Sequence, residues 1–276
     1  MSQCPYRDYR PSVSLAYALW YNQLTYDGID VCELQLSAMN ITRPQNIADS
    51  PQDDPGIEGG FAVLSSGTLR VVLRHPRFRF RPSQSDALHL DVWYKGNNIL
   101  RDGGSYSYNS GDDDINYFGG VRSHNTVQFD ARDQMPRLGR FLLGDWLKTR
   151  NWHWGKKTVQ AGYEDSFRAT HIRRVEVSRS ALMVIDKISN YSADAILRWR
   201  FSPNLWNENP ALTENEQGIA FSVGNMHVTI RADSPIFAVW ETGYESRFYL
   251  HKTELPVLKV LTQTATQIKT DISWLS

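Results

Sequence analysis

The side chains best suited to chemistry are a carboxylate and an imidazole on either side of a glycine-rich stretch. In NNILRDGG, Asp102 closes a predicted strand just before Gly103-Gly104, and His124 opens HNTVQFD farther along. Neutral imidazole and carboxylate form a common ligand set for a divalent cation, and they pair with each other just as readily. Gly103 and Gly104 permit positive φ and close backbone approach beside the carboxylate. Taken alone, an Asp at such a corner bonds turn amides. Convergence of Asp102 and His124 on one hollow would make His124 a metal ligand, with Arg122 and Asn125 beside it in sequence; the plainer reading is a hydrogen-bonded pair.

A second set is cationic. In RHPRFRFRP, strand alternation puts Arg77, Arg79 and Arg81 on one face and Phe78 and Phe80 on the other. AILRWRF repeats the pattern, with Arg198 and Arg200 opposite Leu197, Trp199 and Phe201. Two such strands would form a cationic sheet face. Guanidinium groups pair bidentately with carboxylate or sulfate, so an acidic polysaccharide is a natural ligand. The plainer alternative is a solvated face with local Asp and Glu partners.

The elements that must position these residues are mostly strands. FAVLSSGTLRVVLRH predicts a hairpin about Ser65-Ser66-Gly67, and ALHLDVWYKGNNILRDGG predicts a strand, a turn at Gly96-Asn97 and a second strand. HNTVQFD, THIRRVEVSRSALMVIDKIS, AILRWRFSP, GIAFSVGNMHVTIRA and IFAVWET continue the style, with turn signals between them. The spacing predicts an antiparallel β-sandwich. Only the start differs. Val13, Ala16, Tyr17, Trp20 and Leu24 recur at helical spacing over 11–27, and Asp30 to Asn40 suits a second short helix. Residues 42–60, rich in Pro, Asp and Gly, form a linker or surface loop.

Composition narrows the function classes. Thirty Lys and Arg balance thirty Asp and Glu, so net charge gives no argument for nucleic acid. Nine Trp and 13 Tyr suit a large β core or a sugar-binding surface. Two cysteines, Cys4 and Cys32, imply no disulfide framework and no zinc-finger spacing. The first residues, MSQCPYRDYRP, contain no apolar h-region, so no signal peptide is expected in this chain, and no apolar run approaches a membrane span.

SDALHLDVWYKGNNILRDGGSYSYN followed by RSHNTVQFDARDQ resembles the C-terminal domain of the heparinase II/III-like polysaccharide lyases. THIRRVEVSRSALMVIDKIS, LRWRFSP and WETGYESRFY resemble that family's closing strands, so the similarity runs from about Gly60 to the end. The resemblance implies a mainly β fold, an antiparallel β super-sandwich over 51–276. Residues 1–50 would be a helical remnant of an α/α toroid plus linker, with most of that toroid outside this chain. It also implies a bacterial carbon–oxygen lyase, periplasmic or secreted, that cleaves uronate-containing glycans such as glycosaminoglycans by β-elimination.

The same resemblance implies a divalent metal, zinc or calcium, on Gln84, Asp102 and His124. Substrate would meet Arg122, Arg77, Arg79, Arg81 and Asn125, with His124 a possible catalytic group. The family's main acid and base come from the toroid, so this chain alone is expected to be inactive. Two positions depart from the family pattern: Gln84 stands where a His is usual, and Pro82 where a second His falls. A non-catalytic glycan-binding or structural sandwich is the rival reading. A sugar epimerase would want a Glu beside His89 and Asp91, and none is evident.

Overall fold

The computed structural model describes residues 9–26, 30–48, 57–208, 210–215 and 218–275. The chain divides into two compact units, Met1–Asp54 and Pro55–Ser276.

In the first unit, α1 (Arg10–Tyr21) and α2 (Asp30–Ala38) pack on each other. Pro11 in the first turn of α1 needs no amide partner there, and Asn22 ends the helix in the left-handed region at φ 52. The periodicity predicted a helix to Asp27 with Val13 and Trp20 inward. Instead Pro11, Ser14 and Ala18 are buried, while Val13 and Trp20 are exposed. The reason is Leu24. It has left the helix to form a parallel bridge with Ile47, and the small faces of Ser14 and Ala18 turn inward. Ser14 Oγ then meets Thr25 Oγ1 at 2.9 Å and accepts the Thr25 and Tyr26 amides. Cys32 is buried as a free thiol, and Cys4 lies outside the described residues.

The second unit is built from strands. It opens with β1 (Ile57–Glu58), β2 (Phe61–Ser66), β3 (Leu69–Arg74), β4 (Leu90–Tyr94) and β5 (Asn97–Leu100). Next come α3 (Asp112–Gly119), β6 (Val127–Phe129), β7 (Arg137–Gly139), β8 (Leu142–Leu143), β9 (Arg150–Gly155), β10 (Thr158–Glu164) and β11 (Thr170–Val177). The chain continues through β12 (Ala181–Ser189), β13 (Ala195–Arg200), β14 (Thr213–Asn215), β15 (Gly218–Val223) and β16 (Met226–Ala232). It closes with β17 (Phe237–Phe248), β18 (His251–Thr262) and β19 (Thr266–Trp274).

Three antiparallel sheets carry the architecture. β1 to β5 form one in sequence order; a second runs β14-β15-β16-β19-β12-β11-β10-β9; a third runs β17-β18-β13-β6. A small two-stranded sheet joins β7 to β8. Strict alternation explains the pairing. Every second residue of β19 is buried, as are His171, Arg173, Val175 and Val177 of β11. One continuous apolar core links Leu64, Val71 and Val92 with Leu197, Val184 and Ile272. The hairpins β2–β3 and β4–β5 fall where the sequence predicts, and the fold is the mainly β, antiparallel sandwich expected.

Two readings need correction. Residues 75–86 are not a strand: Pro76 and Pro82 supply no ladder amide, and the segment leaves the sheet between β3 and β4. Arg77, Arg79 and Arg81 therefore share no sheet face. β13 is a strand, but it is buried on both faces. Arg198 and Arg200 are internal rather than part of a cationic surface, with Arg198 held by Glu241 and Gln128.

Candidate functional site

The site grows from the turn between residues 84 and 90. Leu88 sits in the left-handed region at φ 59 although it is a fully buried leucine, a conformation that persists only when its surroundings enforce it. The enforcing groups are visible. Leu88 N–H donates to Arg74 O at 2.7 Å, and the Leu88 carbonyl accepts Arg173 Nη1 at 2.6 Å. Gln134 brackets the preceding Ala87, accepting its amide at 2.9 Å and donating to its carbonyl at 3.0 Å. This corner delivers His89 inward.

The second corner is Asp102-Gly103-Gly104. Gly104 has φ +76, and a Cβ there would run into the Ser246 carbonyl; a Cβ on Gly103 would meet Ser123 Cβ at 2.6 Å. Both glycines are required by close approach, as the sequence suggested. Gly104 N–H donates to Asp102 Oδ1 at 2.6 Å, which aims Oδ2 at the histidines. The third corner is a single 3-10 turn, Val121–Ser123, that ends at His124.

Here the three meet. His124 Nδ1 lies 2.9 Å from Asp102 Oδ2, and His89 Nε2 lies 3.6 Å from the same oxygen. The two rings stand edge to face with centroids 5.4 Å apart. Both histidines are buried, while Asp102 keeps 38 % of its side chain exposed and is the member that reaches solvent. Burial lowers His89 to about 3, so its ring is neutral. Burial would raise Asp102, but the charge and hydrogen bond of His124, with His89 and the Gly104 amide, hold it well below the usual carboxylate range.

The supporting shell is unusually complete. Asn125 N–H donates to His89 Nδ1 at 2.9 Å. The Asn125 side chain donates to Leu90 O and Arg101 O and accepts the Arg200 amide at 2.6 Å. Arg173 crosses from β11 to donate to Leu88 O and Asn125 O, both at 2.6 Å, while its other nitrogens grip the Asp186 carboxylate. His171 Nε2 completes that buried pair at 2.6 Å from Asp186 Oδ1. Arg173 thus ties the residue before His89 and the residue after His124 to one guanidinium.

The family resemblance implies a metal on Gln84, Asp102 and His124; the residues that come together and fit one are His89, Asp102 and His124, while the Gln84 amide donates to backbone carbonyls. The donor atoms of His89, Asp102 and His124 lie within 4.8 Å of one another, and the Nε2 atoms of both rings are buried without a hydrogen-bond partner. His89 Nδ1 accepts the Asn125 amide, so the neutral ring carries its proton on Nε2, and ligation there would displace it.

The other sequence-derived candidates are distributed as follows. Gln84 donates its amide to Gly104 O at 3.1 Å and Phe118 O at 3.3 Å. It lines a cavity of about 220 Å3 with Arg81, Arg137, Arg140, Tyr108 and Phe141. Among the described residues none of those three arginines has a carboxylate within ion-pair distance, and Arg137 Nε and Nη2 are buried without a partner. Arg122 lines a separate cavity of about 520 Å3, with Tyr117 and Lys252 but also Asp113, Asp114 and Asp133. Arg77 lines a third cavity, and Arg79 is exposed and borders none of these three. Asn125, expected against substrate, is fully buried with its amide bonded to backbone, so it fastens the hairpins instead.

Sequence reasoning weighed His89 only for an epimerase and did not place it with Asp102 and His124, and it missed Arg173 and Arg137. His89 carried a signal: a histidine three residues after Asp86, on the polar phase of a predicted strand. Arg173 carried none, because an arginine within THIRRVEV reads as a solvent-facing residue until its buried partner is known.

No curated protein matches the sequence. A family model described as "Heparinase II/III-like, C-terminal" matches residues 48–274. Among solved structures, one of heparinase III superposes with a TM-score of 0.72 at 15 % identity, covering 98 % of this chain and 43 % of that one. Heparan sulfate lyase HepC from Pedobacter heparinus gives 0.66 at 16 % identity, over 96 % of this chain and 41 % of that one. The heparinase III-BT4657 gene product gives 0.66 at 16 % identity, over 88 % and 38 %. At these identities the likeness is one of fold, and the chain spans about two-fifths of each of those structures. With the family match extending over residues 48–274, the chain belongs to the heparinase II/III-like C-terminal domain family, a polysaccharide-lyase-related β-sandwich.

Proposed function

We propose that this chain is the sandwich part of a lyase that cleaves uronate-containing acidic glycans by β-elimination. The observation that carries the reading is the cavity of Arg81, Arg137 and Arg140, which concentrates unpaired guanidinium charge beside Gln84. β-Elimination removes the proton α to a carboxylate and breaks the bond to the leaving glycosidic oxygen. It needs the carboxylate charge neutralised as electron density builds on it. Planar guanidinium groups provide that neutralisation and also hold sulfate.

A divalent cation, zinc or calcium, would be held by Asp102 and His124 with His89 as the third donor. When bound it supplies positive charge and a rigid link between the two glycine-flanked corners. His124 and His89 are buried, so they act on a bound glycan only through Asp102, the exposed member. Gln84, next to that corner, orients the Gly104 carbonyl. The general acid and base are assigned to an N-terminal helical domain that the family carries.

The test is the ultraviolet absorbance of the unsaturated uronate product. A polypeptide carrying this domain with its helical partner is expected to generate it from a uronate glycan, and the 276-residue chain alone is not. Robust turnover by this chain alone would return the acid and base to the sandwich. Binding without turnover by the two-domain protein would favour the non-catalytic module, a reading that Gln84 and Pro82, both lacking an imidazole, support.

A further inference from the structure

The third cavity shares no lining residue with the other two. It measures about 480 Å3 and is bordered by His75, Arg77, Phe78, Trp146, Lys148 and Trp152. Two indoles are half-exposed there, Trp146 at 42 % and Trp152 at 39 %. Two tryptophans left open at the same hollow are unusual, because such rings carry a large apolar area.

Both rings are held in place. Trp146 Nε1 donates to Leu143 O at 2.7 Å. Trp152 lies against the His75 ring, with centroids 4.3 Å apart and planes 31° apart. His75 Nδ1 is in turn 2.9 Å from Thr149 Oγ1, and Thr149 N–H donates to Pro76 O at 3.0 Å. The backbone is also shaped for this. In the β9–β10 ladder Arg150 pairs with Gly162 and His153 with Gln160, so Asn151 and Trp152 together oppose Ala161 alone. That is a bulge on the edge strand of the eight-stranded sheet, and Asn151 takes φ 52 within it. Bulges of this kind re-aim a side chain out of the ladder.

The charged side chains that line the hollow, Arg77 and Lys148, are of one sign. Arg77 and Lys148 are exposed, and among the described residues neither has a carboxylate within ion-pair distance. Fixed aromatic faces match the C–H face of a pyranose, and unpaired cations match a ring carboxylate or sulfate. A merely protective aromatic cap over an edge strand would need no cations.

We propose that this hollow is an accessory binding site for one acidic sugar residue of the glycan. Trp146 and Trp152 form its stacking faces, and Arg77 and Lys148 hold the anion. It would keep a long chain attached while the Arg81 cavity engages another residue. The inference rests on the acidic-glycan reading above.

The test is calorimetric titration of the 276-residue chain with a hexasaccharide of alternating glucuronate and N-acetylglucosamine, alongside the uncharged N-acetylglucosamine hexamer. Tryptophan fluorescence is recorded in parallel. The acidic probe is expected to bind and shift the fluorescence, and the uncharged one to bind at least tenfold more weakly. R77A/K148A, both exposed and therefore harmless to folding, is expected to weaken the acidic probe tenfold or more. W152A is expected to reduce the fluorescence shift, leaving the part that Trp146 reports, and to weaken the acidic probe. R81A/R140A is the control for the other cavity. If it removes all binding while R77A/K148A changes nothing, the accessory site is wrong and the main reading stands. If R77A/K148A removes all binding while R81A/R140A changes nothing, the accessory site stands and the main cavity is wrong. No binding of the acidic hexasaccharide at all would overturn both.

Discussion

At the level of single residues, the centre of the domain is Asp102, flanked by two imidazoles and aimed by one glycine amide. Its oxygen Oδ2 is shared by His124 and His89. The expected consequence is cation-dependent stability. Zinc or calcium at about a hundredfold over its dissociation constant should stabilise the folded chain by about 2.7 kcal/mol, raising the thermal midpoint. Asp102→Ala and His124→Ala should lose that response and the bound metal, as measured by scanning calorimetry and elemental analysis. An unchanged midpoint in all three proteins would rule out the cation. Arg173 is the other decisive residue. Arg173→Met frees the Leu88 and Asn125 carbonyls and leaves the Asp186 carboxylate buried beside His171 alone. Losing one partner of a buried ion pair costs about 3–5 kcal/mol, to be read from urea unfolding. A loss below about 1 kcal/mol would mean that the network does not hold the corners.

At the level of elements, the turns dictate the site. Gly104 is required by its φ of +76 and by the Ser246 carbonyl opposite. Gly104→Ala should destabilise by about 1–3 kcal/mol from backbone strain alone, with more from the clash, as measured by chemical denaturation. Gly96→Ala, where φ is +78 but nothing lies within 4 Å, isolates the strain contribution and should cost less. This level also shows what the sequence reveals. Alternation and Gly-containing turns made β2 to β5 legible, because hairpins depend on local pattern; the meeting of Asp102 with His124, 22 residues apart, came through the family resemblance. The phase of 75–86 was not legible. Arg77, Arg79 and Arg81 alternate as in a strand, but Pro76 and Pro82 remove the amides a ladder needs. Helix α3 also went unread. Its Asp112-Asp113-Asp114 run is favourable at a helix N-terminus yet looks like a polar loop. Arg198 and Arg200 were misplaced because alternation tells which residues share a face and not whether that face is covered.

Across the whole molecule, buried neutral histidines set the acid limit. Burial lowers His75 from 6.5 to about 4, with Arg74 and Arg77 adding to the effect. His171 is also lowered, by burial ahead of its neighbours. At these histidines the unfolded chain therefore binds more protons than the folded one below pH 6.5. Their contribution to stability is complete above that pH and falls as pH drops toward the folded value. His75 alone contributes a slope of up to about 1.4 kcal/mol per pH unit, about 3 kcal/mol in total by pH 4. Replacing His75 by Gln should flatten the pH–stability curve between 6.5 and 4, as seen in midpoints at a series of pH values. An unaltered curve would show that the ring is protonated in the folded protein.

The reach of Arg173 has one more implication. Its contacts with Leu88 and Asn125 span 85 and 48 residues of sequence. No excised hairpin, and no partly condensed chain in which the second sheet is still unformed, can hold His89 and His124 in register. Capture of the proposed cation would then report completed assembly: during refolding, metal uptake should lag the burial of tryptophan and coincide with the last kinetic phase, in keeping with the late closure of distant contacts.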